Sequence, residues 1–265
     1  MKIIATDLDR TLLPNGSQKK DAHIYKKLRT FLKKHDIGVI YVTGRRKEQI
    51  PSVIQRYNLP RPLYCITNVG TQVYAYSRGK FILVDEWEKQ LHKQWKPGVA
   101  EMVEQKLTDC TLLRPQSPVT QNQFKRSYLA DPNIAKSRIE KTVAKRLQTI
   151  SYQLTYSIDA NRNIAQIDIM PPKANKKNAL QFLLKHLHPT DVLTAGDSGN
   201  DLSMLTHTWK SVLVKNAKGQ VKMAYKEHEK PTRRYIATGV YEKNSGNYAS
   251  GIIEALLHYD WIKRF

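Results

Sequence analysis

Two aspartates at alternate positions, Asp7 and Asp9, end a short Ile-rich run that begins at Lys2. In an extended chain alternate side chains leave on the same side, and like charges that close raise each other's pKa unless a cation lies between them or one stays protonated. The pair reads as a metal site, as a nucleophile with a proton donor, or as both. The plainer alternative is a loop in which Asp accepts from backbone amides. Farther along, Thr43-Gly44-Arg45, then Lys176, then Gly196-Asp197-Ser198-Gly199-Asn200-Asp201 offer a hydroxyl, an ammonium and further carboxylates. Carboxylates with one Lys and one Thr suit a hard divalent cation and a phosphoryl group. Mg2+ takes oxygen ligands and keeps several waters, so one or two carboxylates plus a phosphate oxygen suffice. Without a His cluster, zinc is disfavoured.

These residues share a crevice only if the right elements carry them. Lys2–Thr6 reads as a buried strand, and Pro14-Asn15-Gly16-Ser17 as a turn that can cap a helix. Ile24, Leu28, Phe31 and Leu32 repeat at helical spacing, and Ile37–Val42 reads as a second strand delivering Thr43 at its carboxyl end. Strand, helix and strand in this order make a parallel βαβ unit, whose ligands gather beyond the carboxyl ends of the strands. Thr43 is therefore expected near Asp7. Pro51 suits the first turn of a helix reaching Tyr57, and Pro62–Thr67 reads as a third strand.

From about Val73 the strict βα rhythm stops. Helical patterns over Val99–Leu107 and Ile134–Leu147 alternate with strand-like Phe124–Leu129 and Tyr152–Tyr156. Such a stretch reads as an inserted α+β domain over residues 80–163, within a doubly wound α/β core made of 1–79 and 164–265. The rhythm returns at Ile164–Met170, followed by a helix carrying Ala179, Leu180, Leu183, Leu184 and Leu187, then by the strand Val192–Ala195. Val212–Val214 and Tyr235–Ala237 read as further strands, and Ala249–Leu257 as a closing amphipathic helix.

Composition sets outer bounds. A chain of 265 residues, 40% hydrophobic and 25% charged, can bury a sizeable core. No apolar run approaches the roughly 18 residues of a membrane span. The absence of a basic-then-apolar leader makes the cytoplasm the expected location. Cys65 and Cys110 form no disulfide framework or metal spacing, so both are expected to be inert thiols. The formal charge of +21 is the outlier. It fits a nucleic-acid or anionic surface, or a solvated basic surface that steers anionic substrates. Because the basic residues are spread along the chain in no recognisable module, nucleic-acid binding is not the expected role.

Taken together, Asp7-Leu8-Asp9-Arg10-Thr11, Val42-Thr43-Gly44-Arg45, Lys176 ahead of a helix and Gly196–Asp201 resemble, in order, the four motifs of haloacid dehalogenase-superfamily phosphohydrolases. The insert between the second and third motifs resembles the cap of that superfamily's sugar phosphatases. More closely, the chain resembles the sucrose-phosphate phosphatase family through Val69–Tyr74, Asp85, Trp87, Leu91, Trp95, Phe124-Lys125, Ser127-Tyr128, Asp168–Pro171, Asn216-Ala217 and Ser250–Ile253. Trp87 and Trp95 read as cap core more than as sugar platforms. Lys125 is either a solvated cap lysine or a sugar contact.

The resemblance implies a Mg2+-dependent phosphatase acting on a disaccharide phosphate such as sucrose 6-phosphate. Close alternatives are mannosylfructose phosphate, mannosyl-3-phosphoglycerate, glucosylglycerol phosphate, trehalose phosphate, or hexose phosphates broadly. A glycosyltransferase of the same pathway would then be a partner. It further implies Asp7 as nucleophile, Asp9 as acid and base, Thr43 and Lys176 as holding the phosphoryl oxygens, and Gly44 and Arg45 as further substrate-binding residues. Asp7, Asp197 and the main-chain carbonyl of Asp9 would hold the metal, Asp201 would be an outer ligand, and Asn200 would orient the phosphate or Lys176. Arg10, Lys173 and Lys177 depart from the superfamily's usual small residues, adding cations near the phosphate or on the rim. The competing readings are a basic binding protein on a retired scaffold, and a phosphotransferase or mutase.

Overall fold

The structure, a computed structural model, describes residues 1–14, 22–159, 162–228, 231–240 and 245–263. Strand β1 (Lys2–Thr6) is followed in the chain by helix α1 (Ala22–Lys34) and strand β2 (Ile37–Val42), and β1 and β2 pair in parallel with Ile3 opposite Gly38. The turn expected at Asn15-Gly16-Ser17 lies outside the described residues. Helix α2 (Ile50–Tyr57), with Pro51 in its first turn, and strands β3 (Tyr64–Thr67), β4 (Gln72–Ser77) and β5 (Lys80–Leu83) follow. The middle of the chain supplies α3 (Asp85–His92), α4 (Val99–Leu107), β6 (Arg114–Pro115), β7 (Arg126–Ala130), α5 (Lys136–Arg146), β8 (Gln153–Asp159) and β9 (Ile164–Met170). Helix α6 (Lys176–Leu187), β10 (Asp191–Gly196), α7 (Leu202–Leu205), β11 (Lys210–Leu213), α8 (Gly219–Glu227), β12 (Arg234–Ile236) and α9 (Tyr248–His258) complete it.

Two sheets result. The larger runs β12-β11-β10-β1-β2-β3-β4-β5, parallel from β12 to β3, with β4 and β5 added antiparallel. Strand β1 lies between β10 and β2, so the residues just past its end meet those past β10 and β2. That is the crevice where ligands of open α/β sheets bind. The period-two alternation of β1 sends Ile3 and Ala5 to one face and Ile4 to the other. Ile4 packs with Leu28 and Phe31 of α1 and Ile253 and Leu256 of α9. Ile3 and Ala5 pack with Leu180, Leu183 and Leu184 of α6. Helices thus cover both faces, as a parallel sheet requires.

The smaller sheet, β6-β7-β9-β8, is antiparallel throughout. Two boundaries differ from the sequence reading. Ile164–Met170, assigned to the core, pairs with β7 and β8 in the smaller sheet, while Lys80–Leu83, assigned to the insert, pairs with β4 in the larger one. Periodicity identifies a strand but not its partners, and an apolar run such as Ile-Ala-Gln-Ile-Asp-Ile fits either sheet. Strand β7 also begins at Arg126, because Asn122–Lys125 closes a tight turn in which Lys125 N donates to Asn122 O at 3.1 Å and Asn122 N to Lys125 O at 3.2 Å. Ile167 and Ile169 of β9 pack with Val103 of α4 and Ile139 and Val143 of α5, leaving a second, polar face on the smaller sheet.

Candidate active site

The end of β1 is held to β10 by Asp7 N donating to Ala195 O at 3.0 Å. Asp7 is buried, and Lys176, first residue of α6, reaches it with Nζ 2.7 Å from Asp7 Oδ1. The same Nζ lies 2.7 Å from Oδ1 of Asp201, which is completely buried. Asp201 Oδ2 accepts from the backbone of Asp197 at 3.2 Å and of Ser198 at 3.1 Å, and from the Ser198 hydroxyl at 2.9 Å. Asp201 therefore fixes both the loop after β10 and the lysine. Asp197 accepts from Thr11 Oγ1 at 3.1 Å and from Arg10 Nε at 3.2 Å. One oxygen from each of Asp7, Asp197 and Asp201 lies within 4.8 Å of the others.

Burial and neighbouring charge together set the pKa shifts of this cluster. Burial works against the Lys176 ammonium, but the carboxylates of Asp201 and Asp7 outweigh it and raise its pKa. Burial, opposed by Lys176 and reinforced by the neighbouring carboxylates, holds Asp7 well above the usual carboxylate range. Burial and the charge of Asp201 push Asp197 up to about 6. The three carboxylates outnumber the one buried ammonium beside them, and all offer hard oxygen. A divalent oxygen-seeking cation fits that donor set.

Strand β2 delivers Thr43 to the same end, fully buried, its Oγ1 accepting from Arg45 N at 3.1 Å. That leaves the hydroxyl proton to donate elsewhere. Arg45 turns back on Asp9, with Nε 2.7 Å from Oδ2 and a terminal nitrogen 2.6 Å from Oδ1. Gly44 is exposed between them. Asn200 meets the Ser198 hydroxyl at 2.8 Å, so Asp7 and Asp201, rather than Asn200, hold Lys176 in this geometry. Lys173 is exposed and Lys177 half-buried.

Four supporting residues escaped the candidate set. After β3, Asn68, Val69 and Gly70 have φ of 50, 61 and 100. Left-handed backbone is costly for a β-branched residue such as Val69. Bonds from Asn68 N to Arg45 O at 2.9 Å and from Val69 N to Thr43 O at 3.1 Å hold the loop over the end of β2. A Cβ on Gly70 would lie 2.4 Å from the carbonyl carbon of Asn175 and 2.8 Å from Lys176 N, so only glycine lets the start of α6 come this close. Asn216 donates to Arg10 O at 2.6 Å and accepts from Tyr248 N at 3.0 Å, tying the loop after β1 to α9. Both Gly70 and Asn216 fall within the stretches that carry the family resemblance, which was the available signal.

The smaller sheet presents its polar face through Ser127, Asp168 and Thr155, which lie side by side across β7, β9 and β8. Lys125, just before β7, is buried, with Nζ 3.9 Å from Asp168 Oδ1, and Ser127 Oγ donates to the same oxygen at 2.5 Å. Asn175, the residue that caps α6, donates to Gln153 Oε1 of β8 at 3.3 Å, joining this sheet to the segment that carries Lys176. Trp87 and Trp95 are both buried and donate to Gly70 O at 3.0 Å and Ser151 O at 2.8 Å, so neither offers a face to a sugar. A cavity of about 610 Å3 lined by Met1, Arg29, Gly38 and Leu63 opens at the opposite, amino ends of the strands and takes no part in this constellation.

Residues 1–260 match the family model of sucrose-6F-phosphate phosphohydrolase. The chain belongs to that family. It is a family of phosphoric monoester hydrolases, and a solved sugar phosphatase of haloacid dehalogenase subclass IIB shares the fold, with TM-score 0.66 at 17% identity. This family member is 34% identical to a putative HAD-like hydrolase of Nitrosococcus oceani, the match covering 97% of this chain and 71% of that protein. It is 26% identical to probable sucrose-phosphatase 1 of Arabidopsis thaliana, covering 97% of this chain but 59% of that one. The sucrose-phosphatase of Synechocystis, solved with sucrose and phosphate, superposes with a TM-score of 0.81 at 26% identity over 98% of both chains. No helix among the described residues is long and apolar enough to cross a membrane.

Proposed function

We propose that the chain hydrolyses a glycosyl phosphate, with a disaccharide phosphate such as sucrose 6-phosphate as the leading substrate, through an aspartyl-phosphate on Asp7. The observation that carries this reading is the buried contact of Lys176 with both Asp7 and Asp201, beside Asp197. It holds a carboxylate in a fixed orientation where strand ends converge, within a set of oxygens suited to Mg2+. Asp7, Asp197 and Asp201 would hold that ion, together with the carbonyl of Asp9. When bound, it would neutralise charge on the transferring phosphoryl oxygens.

In this mechanism Asp7 attacks phosphorus while the bond to the sugar oxygen breaks, and Asp9 gives that oxygen a proton. Asp9 then takes a proton from water as the water attacks the aspartyl-phosphate, which releases phosphate and restores Asp7. Thr43 and Lys176 hold phosphoryl oxygens, so positioning and electrostatics supply most of the rate. Arg45 occupies both oxygens of Asp9 in the resting geometry. An incoming phosphate dianion competes directly with Asp9 for that guanidinium.

The polar face of the smaller sheet supports a sugar as the leaving group. Lys125, Ser127, Thr155 and Asp168 offer donors and acceptors suited to hydroxyls, while Trp87 and Trp95 are spent on packing. The Synechocystis relative, solved with sucrose, favours the disaccharide. The test is phosphate release from a panel of glycosyl, hexose and nucleotide phosphates, with and without Mg2+, in wild type and Asp7→Asn. Release that needs Mg2+, prefers one glycosyl phosphate and vanishes in the variant is expected. Release from no compound would overturn the proposal, and equal slow release from all would discard the disaccharide.

A further inference from the structure

Arg10 directly follows Asp9, yet its side chain turns to a different carboxylate, with Nε 3.2 Å from Asp197 Oδ2. Its backbone is left-handed, at φ 64, and is held there by its N–H donating to Leu13 O at 2.9 Å and by its carbonyl accepting from Asn216 at 2.6 Å. The three carboxylates that come close enough to share a cation differ in what neutralises them. Asp7 and Asp201 are paired with Lys176, which is buried among them and 2% exposed. Asp197 is 5% exposed but is paired with Arg10, which is 39% exposed and reaches in from the rim. The cluster therefore has one fixed cation and one that can leave.

We propose that Arg10 is an exchangeable counter-cation for Asp197. It neutralises that carboxylate while no divalent ion is bound, and a divalent ion displaces it to the rim. The inference rests on the reading that Asp7, Asp197 and Asp201 hold such an ion. A guanidinium stays charged throughout the working pH range, so Arg10 does not step aside by losing a proton. It leaves only when another cation takes the Asp197 oxygen. The affinity of the chain for Mg2+ is then set in part by competition with its own side chain. Thr11, on the other oxygen of Asp197, keeps the carboxylate oriented during the exchange.

The experiment is calorimetric titration of Mg2+ alone into the substrate-free protein, paired with thermal unfolding at rising Mg2+, for wild type, Arg10→Asn, Arg10→Lys and Asp197→Asn. Asn tolerates left-handed backbone, so Arg10→Asn removes the charge while sparing the loop. A part-exposed ion pair is modest in strength, so this variant is expected to bind Mg2+ roughly threefold to fivefold more tightly than wild type. It should also melt lower than wild type without metal and equally at saturating Mg2+. Tighter binding in Arg10→Lys, whose shorter ammonium loses the Nε contact, supports the same conclusion. Binding that Asp197→Asn abolishes but that Arg10→Asn leaves unchanged or weaker overturns the inference and spares the metal site. Equal binding in wild type and Asp197→Asn overturns the metal reading itself. Should Arg10→Asn fail to fold, Arg10→Lys decides, and affinity equal to or below wild type overturns the inference.

Discussion

Arg45 grips both oxygens of Asp9 in a two-pronged ion pair, at 2.7 and 2.6 Å, although the two residues are 36 positions apart. A carboxylate that must give and then take a proton gains from a fixed orientation, and misplacing a positioned group is costly to rate. Arg45→Ala is expected to lower kcat by about 10- to 100-fold. Arg45→Lys should recover only part of the loss, because an ammonium cannot reproduce the fork. Steady-state kinetics on the preferred substrate decides. A raised KM with unchanged kcat would place Arg45 on the substrate and not on Asp9.

Lys176 bonds Asp7 Oδ1 and Asp201 Oδ1, each at 2.7 Å, in a buried setting. Removing one member of such a cluster leaves carboxylates buried without compensation, which costs roughly 3–5 kcal/mol. Lys176→Met should lose about that much stability in urea unfolding, and saturating Mg2+ should return part of it. Wild-type stability in the variant would show that water reaches Asp7 and Asp201 freely.

Much of this was legible in the sequence. Alternation in Lys2–Thr6 placed Asp7 and Asp9 past a buried strand, and the order of strand, helix and strand placed Thr43 beside them. What periodicity could not give was pairing. Strand β9 joined the smaller sheet and β5 the larger because hydrogen-bond partners, not apolar spacing, decide membership. The contact of Lys176 with Asp201 spans 25 positions and that of Arg10 with Asp197 spans 187, and only folding reveals such pairs. Asn200 was expected to orient the phosphate or Lys176, and its side chain accepts from the hydroxyl of Ser198, two positions earlier, at 2.8 Å.

Gly70 sets the distance between the loop after β3 and the first turn of α6. Gly70→Ala would require either the loop or Asn175-Lys176 to move, since the added carbon would meet backbone at 2.4 Å, and φ of 100 is strained for alanine. The expected cost is about 1–3 kcal/mol of stability. A shift of Lys176 near 1 Å should also lower kcat/KM by roughly 100-fold. Unfolding and kinetics measured on the same preparation separate the two effects, and normal values in both would mean the loop yields without strain.

Lys125 lies just before β7 of the smaller sheet and is buried. Burial lowers its pKa, Asp168 opposes the shift, and Arg46 adds to it. From its lowered native value up to the ordinary lysine value of 10.5, the unfolded chain holds a proton that the native chain has released. Stability contributed at this position therefore rises with pH across that window, and the penalty for burying the ammonium is fully present below it. Lys125→Met removes the penalty. It should be at least as stable as wild type at pH 7 in urea, with its advantage shrinking as pH climbs toward 10.5. If the ammonium binds sugar hydroxyls, the same variant should raise KM for the glycosyl phosphate by about tenfold and leave kcat nearly unchanged, the pattern of lost uniform binding. A stable variant with unaltered KM would make Lys125 a cost carried for some purpose other than sugar recognition.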